Sequence, residues 1–246
     1  MMTTIDVVGL DADDTLWHSE NGFHEITERY LDLVAPFAAG RSRAEVAGNL
    51  AAVERMNLGH FGYGVKAFTL SMVEAAIDVT DRAIPTSVLP DLVALGKELL
   101  ARPVQLLPGV AETIPQLAAS HRLLLITKGD LLHQERKIEQ CGLAHYFEEL
   151  EIVTEKDPAT YVRILHEHEV RPDQFLMVGN SVKSDVLPVL AIGARAVHIP
   201  YEYLWAQEHA EHDGSVPELA SISELPGWLA EMSASLPNPT LTPPPG

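Results

Sequence analysis

The sequence predicts an α/β protein with a doubly wound parallel sheet and a separate all-helical insertion. Short apolar runs alternate with amphipathic helical patterns along most of the chain, and this order is typical of parallel sheets. Residues 18–100 interrupt the alternation with helical patterns alone. The chain has 246 residues, which is enough for one core domain that carries an inserted domain.

Five short apolar runs are the predicted strands. The first, 5–10, is rich in β-branched residues and is followed directly by a cluster of aspartates. Four comparable runs occupy 122–127, 150–154, 174–179 and 195–199, and the helical patterns around them occupy 110–119, 131–140, 159–169 and 185–192. Because a helix separates successive strands, the strands should run in the same direction.

The insertion contains four amphipathic helical patterns, at 20–33, 43–56, 65–79 and 90–100. In the third of these, apolar residues such as Phe68, Met72 and Val79 recur at helical spacing, which indicates a packed face. We therefore expect a discontinuous core formed by 1–17 and 101–235, a helical cap formed by 18–100, and an extended proline-rich tail at 236–246.

Composition and charge exclude several classes of function. The formal net charge is −18 and no cluster of Lys and Arg occurs, so neither a nucleic acid nor an anionic membrane surface is an expected partner. The apolar runs are too short to span a bilayer, and no secretory signal is expected. The one cysteine, Cys141, excludes an intramolecular disulfide and favours a cytoplasmic location.

Polar residues follow four of the predicted strands, where ligands bind in open parallel sheets. Asp11 and Asp13 follow the first strand, Thr127 and Lys128 end the second, and Lys156 follows the third. The fourth strand leads into Gly-Asn-Ser-Val-Lys-Ser-Asp at 179–185, which contributes an amide and another carboxylate. Four strand ends thus present carboxylates, a hydroxyl, lysines and an amide to one edge of the sheet.

These residue types suit the chemistry of a phosphate ester. Asp11 and Asp13 are two residues apart, so their side chains should project to one side and repel each other. A magnesium ion would relieve that repulsion and would neutralise a phosphate dianion approached by an anionic nucleophile. The second carboxylate can exchange a proton with the leaving oxygen and with water, while Lys156 and Thr127 hold the transferring group.

The ordered set at 11–16, Thr127, Lys156 and 179–185 resembles the four motifs of the haloacid dehalogenase superfamily. The resemblance implies a Rossmann-like core, an aspartyl-phosphate intermediate on Asp11, and Asp13 as general acid and base. It also implies that Thr127 and Lys156 hold the phosphoryl group, and that Asp185 supports a magnesium ion. The helical insertion is similar to the cap of the first subclass of that superfamily.

Three positions depart from the commonest form of these motifs. Asn180 stands where an aspartate usually binds magnesium. An amide can ligate through its oxygen but adds no charge, so the sequence predicts either a lower metal affinity or a larger part for Asp185. Lys128 follows Thr127 where a small or amide residue is common, and it is a candidate substrate-binding residue. Asp14 stands where glycine is frequent, and the sequence suggests no function for it.

Several alternatives stay open on the sequence alone. True dehalogenases share the motif order but resemble this chain less, because they carry an aromatic residue in place of the second aspartate. A phosphomutase or other phosphotransferase would use the same core residues, and a non-catalytic binding protein is conceivable because of Asn180. Tyr63 and Lys66 are expected beside a substrate entrance. A sugar phosphate, a nucleotide and a phosphorylated carboxylic acid all remain candidate substrates, and a homodimer is an open possibility.

Overall fold

A five-stranded parallel sheet forms the centre of the molecule, with the strand order β3-β2-β1-β4-β5. The computed structural model describes residues 4–203, 205, 208, 210, 214 and 216–235. The strands are β1 Val7–Leu10, β2 Arg122–Lys128, β3 Glu149–Val153, β4 Phe175–Gly179 and β5 Arg195–His198. All five predicted strands are present within two residues of their expected bounds, and the predicted fold class is confirmed.

Helices cover both faces of the sheet because successive strand residues point to opposite sides. Val8 of β1 packs with α5 Val110–Ala118, α6 Leu131–Gln140 and α9 Leu225–Ala234 on one face. Val7 packs with α7 Pro158–Glu167 and α8 Leu187–Ala191 on the other. This arrangement leaves the carboxyl ends of the strands at one open edge.

A helical layer between β1 and β2 has a hydrophobic core of its own. It consists of α1 Glu20–Val34, α2 Arg43–Phe61, α3 Val65–Val79 and α4 Leu89–Leu100. Tyr30, Met72 and Leu92 are among its fully buried side chains, and none of them packs into the sheet. We call residues 20–100 the helical layer below.

Three elements differ from the sequence prediction. The helix α2 continues five residues past the expected end at 56, because Asn57 is anchored to α3 through Ser71 and Glu74. The single helix expected at 185–192 consists of a π-helical turn, Val182–Val186, followed by the short α8. The sequence prediction does not include the helix α9, whose third residue is a glycine, the residue type with the lowest helix propensity after proline. The predicted tail at 236–246 lies outside the described residues.

No helix in the described part of the chain is long and apolar enough to cross a membrane.

Candidate active site

A cavity of about 340 Å³ lies between the carboxyl ends of the strands and the helical layer. Its position beside β1 and β4, where the connections leave the sheet in opposite directions, is the usual ligand position in this type of sheet. All seven candidate residues from the sequence line this one cavity: Asp11, Asp13, Thr127, Lys128, Lys156, Asn180 and Asp185.

Lys156 lies between two buried carboxylates. Its Nζ donates to Asp11 and, at 2.7 Å, to Oδ1 of Asp185. Burial raises the pKa of Asp11 to about 7, although the charge of Lys156 acts against this rise. Burial alone would lower the pKa of Lys156, but the charges of Asp11 and Asp185 raise it overall. Lys156 therefore stays charged beside the candidate nucleophile.

Gly179 makes room for the carboxylate of Asp185. A Cβ atom at Gly179 would overlap the carboxyl group of Asp185, so this close approach requires glycine at the end of β4. The other oxygen of Asp185 accepts a hydrogen bond from the backbone N–H of Ser181 at 3.0 Å. Asp185 is therefore fixed by the backbone on one side and by Lys156 on the other.

Asp13 has a lysine of its own. Nζ of Lys137 lies 2.5 and 2.8 Å from its two carboxylate oxygens, and Gln134 and Trp17 also donate to them. Burial opposes the ionisation of Asp13, but the charge and hydrogen bonds of Lys137 lower its pKa overall. The repulsion expected between Asp11 and Asp13 is therefore relieved by two separate lysines.

The sequence prediction missed Lys137 and Gln134. Both lie on α6, three residues apart and hence on one helix face, and α6 begins directly after β2. Nε2 of Gln134 also donates to Oγ1 of Thr127 at 2.9 Å, which links the hydroxyl at the end of β2 to Asp13. The position of α6 directly after β2 indicates that some of its residues lie near the site. Only the packed structure shows which face of α6 points toward Asp13.

The atoms around the side chain of Asn180 show whether a magnesium ion would fit in the cavity. Its side-chain amide lies 3.3 Å from Oδ2 of Asp11 and 3.3 Å from the carbonyl oxygen of Asp13. With its nitrogen toward these atoms the amide donates to both, and with its oxygen toward them three oxygens converge. Carboxylate, carbonyl and amide oxygens are ligands of magnesium, so the donor set fits the ion.

This set contains a single carboxylate side chain. Among residues 4–203, 205, 208, 210, 214 and 216–235, no three His, Cys, Asp or Glu side chains are grouped so that they could hold a metal. A magnesium ion would therefore depend on the backbone carbonyl of Asp13 and on the amide of Asn180. Asp185 is adjacent to this set, but both of its oxygens already have donors.

Asp14 connects the loop after β1 to the helical layer. Its backbone has a φ of 62°, the left-handed region that explains why glycine is frequent at this position. Its carboxylate accepts hydrogen bonds from the backbone N–H groups of Ser19, at 2.8 Å, and Glu20, at 3.1 Å. Asp14 thus fixes the start of α1, a function that the sequence did not suggest.

Lys128 forms an ion pair with a residue outside the predicted motifs. Its Nζ donates to Oε1 of Glu208 at 2.6 Å and to Oγ of Ser184 at 2.9 Å. It also lies 4.1 Å from the centre of the Tyr63 ring, a cation–π contact with the helical layer. Tyr63 lines the cavity as expected, whereas Lys66 pairs with Asp130 at its margin.

Comparisons with known proteins agree with this geometry. A family model described as haloacid dehalogenase-like hydrolase matches residues 5–193. The chain is similar to a haloacid dehalogenase-like family hydrolase from Xanthomonas campestris, with 40% identity, a TM-score of 0.80, and coverage of 94% of this chain and 91% of that one. A 2-haloacid dehalogenase from Pseudomonas syringae shares 22% identity and a TM-score of 0.61 over 93% of this chain and 100% of that one, which shows a common fold.

Two curated relatives are phosphatases. A glyceraldehyde 3-phosphate phosphatase from Methanothermobacter thermautotrophicus is 29% identical over 151 residues, which is 55% of this chain and 66% of the relative. An N-acylneuraminate-9-phosphatase from Rattus norvegicus is 26% identical over 133 residues, or 52% of this chain and 49% of the relative. The chain thus spans about half to about two thirds of the length of these relatives.

Proposed function

The chain belongs to the haloacid dehalogenase-like hydrolase family, and from this premise we propose that it is a magnesium-dependent phosphatase. It acts on a small phosphorylated metabolite through a phosphoryl intermediate on Asp11. The observation that carries this proposal is the placement of Asp11, which faces the cavity beside Lys156 and beside a set of oxygens suited to magnesium. The phosphatase relatives support the same reaction class.

Asp11, the carbonyl of Asp13 and the amide of Asn180 would hold the magnesium ion, with Asp185 beside them. When bound, the ion supplies positive charge that offsets the phosphate dianion. Lys156 adds fixed positive charge at the same place, and Thr127 offers a hydroxyl to a phosphoryl oxygen. Thr127 and Lys156 are 1% and 3% exposed, and charges interact more strongly in such buried surroundings than in water.

In the first step an oxygen of the Asp11 carboxylate attacks phosphorus, and the bond from phosphorus to the leaving oxygen breaks. The leaving oxygen takes a proton from the carboxyl group of Asp13. In the second step Asp13 removes a proton from water as the water oxygen attacks phosphorus. Inorganic phosphate leaves and Asp11 is restored, so Asp13 ends with the proton with which it began.

The surroundings of Asp13 favour the second of these steps. Lys137, Gln134 and Trp17 all donate to its carboxylate and stabilise the ionised form, which accepts a proton from water. A phosphate dianion bound nearby raises the pKa of Asp13 through repulsion between like charges. Asp13 can then be protonated, as the first step requires. The same side chain therefore suits both roles at different stages.

We further infer that residues 18–100 act as a cap over a core of 1–17 and 101–235. Gly64, at the start of α3, supports this division, because a Cβ atom there would lie 3.1 Å from the backbone nitrogen of Asp130 in the core. The helical layer thus touches the sheet edge closely around the cavity. Closure at this contact would exclude water from the aspartyl phosphate.

The test is phosphate release from an aryl phosphate, with magnesium or with a chelator, for the wild type, Asp11→Asn and Asp91→Asn. Asp91 is an exposed residue of α4 and serves as the matched control. We expect magnesium-dependent release by the wild type and by the control, and none by Asp11→Asn. Acid-quenched wild type should carry a covalent phosphoryl group that Asp11→Asn lacks. Release by Asp11→Asn at the wild-type rate would exclude the proposed mechanism.

A further inference from the structure

The helical layer places two unpaired carboxyl groups in the cavity. Glu20 of α1 and Glu54 of α2 both line it, and among the described residues neither side chain has a hydrogen-bond donor or a cation in contact. Burial raises the pKa of Glu20 to about 8, with contributions from the charges of Asp14 and Glu54, and it raises the pKa of Glu54 to about 7. A negative charge at this wall therefore lacks a partner among the residues that the structure describes.

The lysines that line the cavity are already paired with other carboxylates. Its three lysines all lie at the strand ends or on α6, where Lys156 pairs with Asp11, Lys137 with Asp13, and Lys128 with Glu208. Within the described part of the chain, no Lys or Arg of the helical layer lines the cavity. A leaving group with a carboxylate or a second phosphate would therefore face the carboxyl groups of Glu20 and Glu54 without a Lys or Arg of the helical layer beside it, which disfavours its binding.

A separate polar group in the cavity also lacks a donor. Gln134 is only 2% exposed, and its nitrogen donates to Asp13, Thr127 and the carbonyl oxygen of Lys128. Its oxygen Oε1 has no hydrogen-bond partner among the described residues. Gln134 lines the cavity, and a buried acceptor without a donor is costly, so a ligand donor that reached Oε1 after a small side-chain movement would relieve this cost.

Aromatic rings also line the cavity. Phe23 and Phe68 meet edge to face with their centres 5.3 Å apart, and both line the cavity. The ring of Tyr203 stacks on His24 at 5.2 Å. Aromatic faces attract cations, so the rings and the carboxyl groups favour the same kind of ligand.

Building on the proposed function, we propose that the leaving group of the substrate carries a positively charged amino group, held by Glu20 and Glu54. The substrate is then the phosphate monoester of an amino alcohol or of an amino sugar. A cavity of about 340 Å³ suits a ligand of this size. Phosphate binds at the strand ends, while the amino group donates to the carboxyl groups of the helical layer.

The test compares matched esters that differ in one amino group. Glucosamine 6-phosphate is paired with glucose 6-phosphate, and ethanolamine phosphate is paired with 2-hydroxyethyl phosphate, all at pH 8 with magnesium. We expect kcat/KM for the amino ester to exceed that of its hydroxyl partner by about ten- to a hundredfold, the usual factor for charge-assisted hydrogen bonds. Glu20→Gln and Glu54→Gln should each bring that ratio toward one. Glu28→Gln, on the exposed side of α1, should leave the ratio unchanged.

A binding measurement separates this inference from the proposed function. Calorimetry with Asp11→Asn compares the Kd of the amino and hydroxyl esters without any need for turnover. Tighter binding of the amino ester supports the inference, while equal binding or a preference for the hydroxyl ester overturns it. If the wild type hydrolyses both members of each pair equally well, the phosphatase assignment stands and the amino preference is wrong. If the aryl phosphate is not hydrolysed either, the proposed function fails while the binding result still decides the inference.

Discussion

Replacing Lys156 with methionine should strongly destabilise the metal-free protein. Methionine keeps the length and apolar body of the side chain but removes the charge that lies between Asp11 and Asp185. Both carboxylates would then be buried together without a cation. Their remaining donors are Thr15, at 3.2 Å from Asp11, the backbone N–H of Ser181 and, in one orientation, the amide of Asn180. These neutral groups cannot neutralise two charges.

The expected loss follows from how deeply this cluster is buried. The side chains of Lys156 and Asp185 are 2% and 1% exposed, and removal of one partner from such a pair costs about 3–5 kcal/mol. By contrast, the pair between Arg29 and Glu98 is almost half exposed, and pairs of that kind contribute about 0–1 kcal/mol. The loss at Lys156 should therefore be several times larger than at any exposed pair.

Urea unfolding at pH 8 in the presence of a chelator measures this loss. With a slope of about 3 kcal/mol/M, the midpoint for Lys156→Met should fall by about 1–2 M. Lys97→Met, at an exposed position of α4, is the control and should stay within about 0.5 kcal/mol of wild type. Magnesium should restore part of the stability of Lys156→Met, because its positive charge would offset the negative charge of the two carboxylates. A loss below about 1 kcal/mol would refute the view that the buried lysine holds this cluster together.

Four further outcomes are expected. Gly179→Ala should lower the free energy of unfolding in urea by about 1–3 kcal/mol and should abolish phosphate release, because its Cβ displaces the carboxylate of Asp185. Gly59→Ala is the control, since it lies in open space on α2 and should stabilise the protein by about 0.5–1 kcal/mol. Asn180→Asp should raise magnesium affinity in a thermal-shift titration, and an unchanged or weaker affinity would contradict the assigned donor set. Asp14→Ala should be less stable than Asp14→Gly, since both lose the hydrogen bonds to α1 but only alanine is strained at a φ of 62°. The pKa of Glu20 is about 8 in the folded protein and 4.5 without its environment, so its ionisation destabilises the folded state as pH rises between these values. Glu20→Gln should therefore gain stability over wild type from pH 5 to pH 8, by on the order of 1 kcal/mol per pH unit, measured by thermal unfolding.

Much of the fold and of the candidate site could be predicted because both depend on local patterns. Short apolar runs followed by polar residues mark the strand ends. A parallel sheet brings those ends to one edge, and this does not depend on how the helices pack. Asp11, Thr127, Lys156 and Asp185 could therefore be grouped from the sequence alone, although their chemical roles stay predictions. The order of the strands was the less predictable part, since β4 crosses to the far side of β1 only in the packed sheet.

The residues that were missed depend on tertiary packing. Lys137 reaches Asp13 because α6 turns one face toward the loop after β1, and its sequence reads as an ordinary charged helix. Glu208 pairs with Lys128 across 80 residues, with no motif to mark it. Glu20 and Glu54 belong to helices whose amphipathic pattern predicts a solvated polar face, but the sheet edge covers that part of the helices.

The central position of β1 has a consequence for how the chain folds. Val7 is paired with Arg122 on one side and with Phe175 on the other, so the strand made first finds its neighbours only after long stretches of chain. Loops of this length are slow to close, whereas the contacts among α1–α4 are much closer in sequence. During synthesis we therefore expect the helical layer to become compact first, while the apolar β1 stays unpaired and vulnerable to aggregation. Final assembly of the sheet would bring the parts of the active site together only at the end of folding.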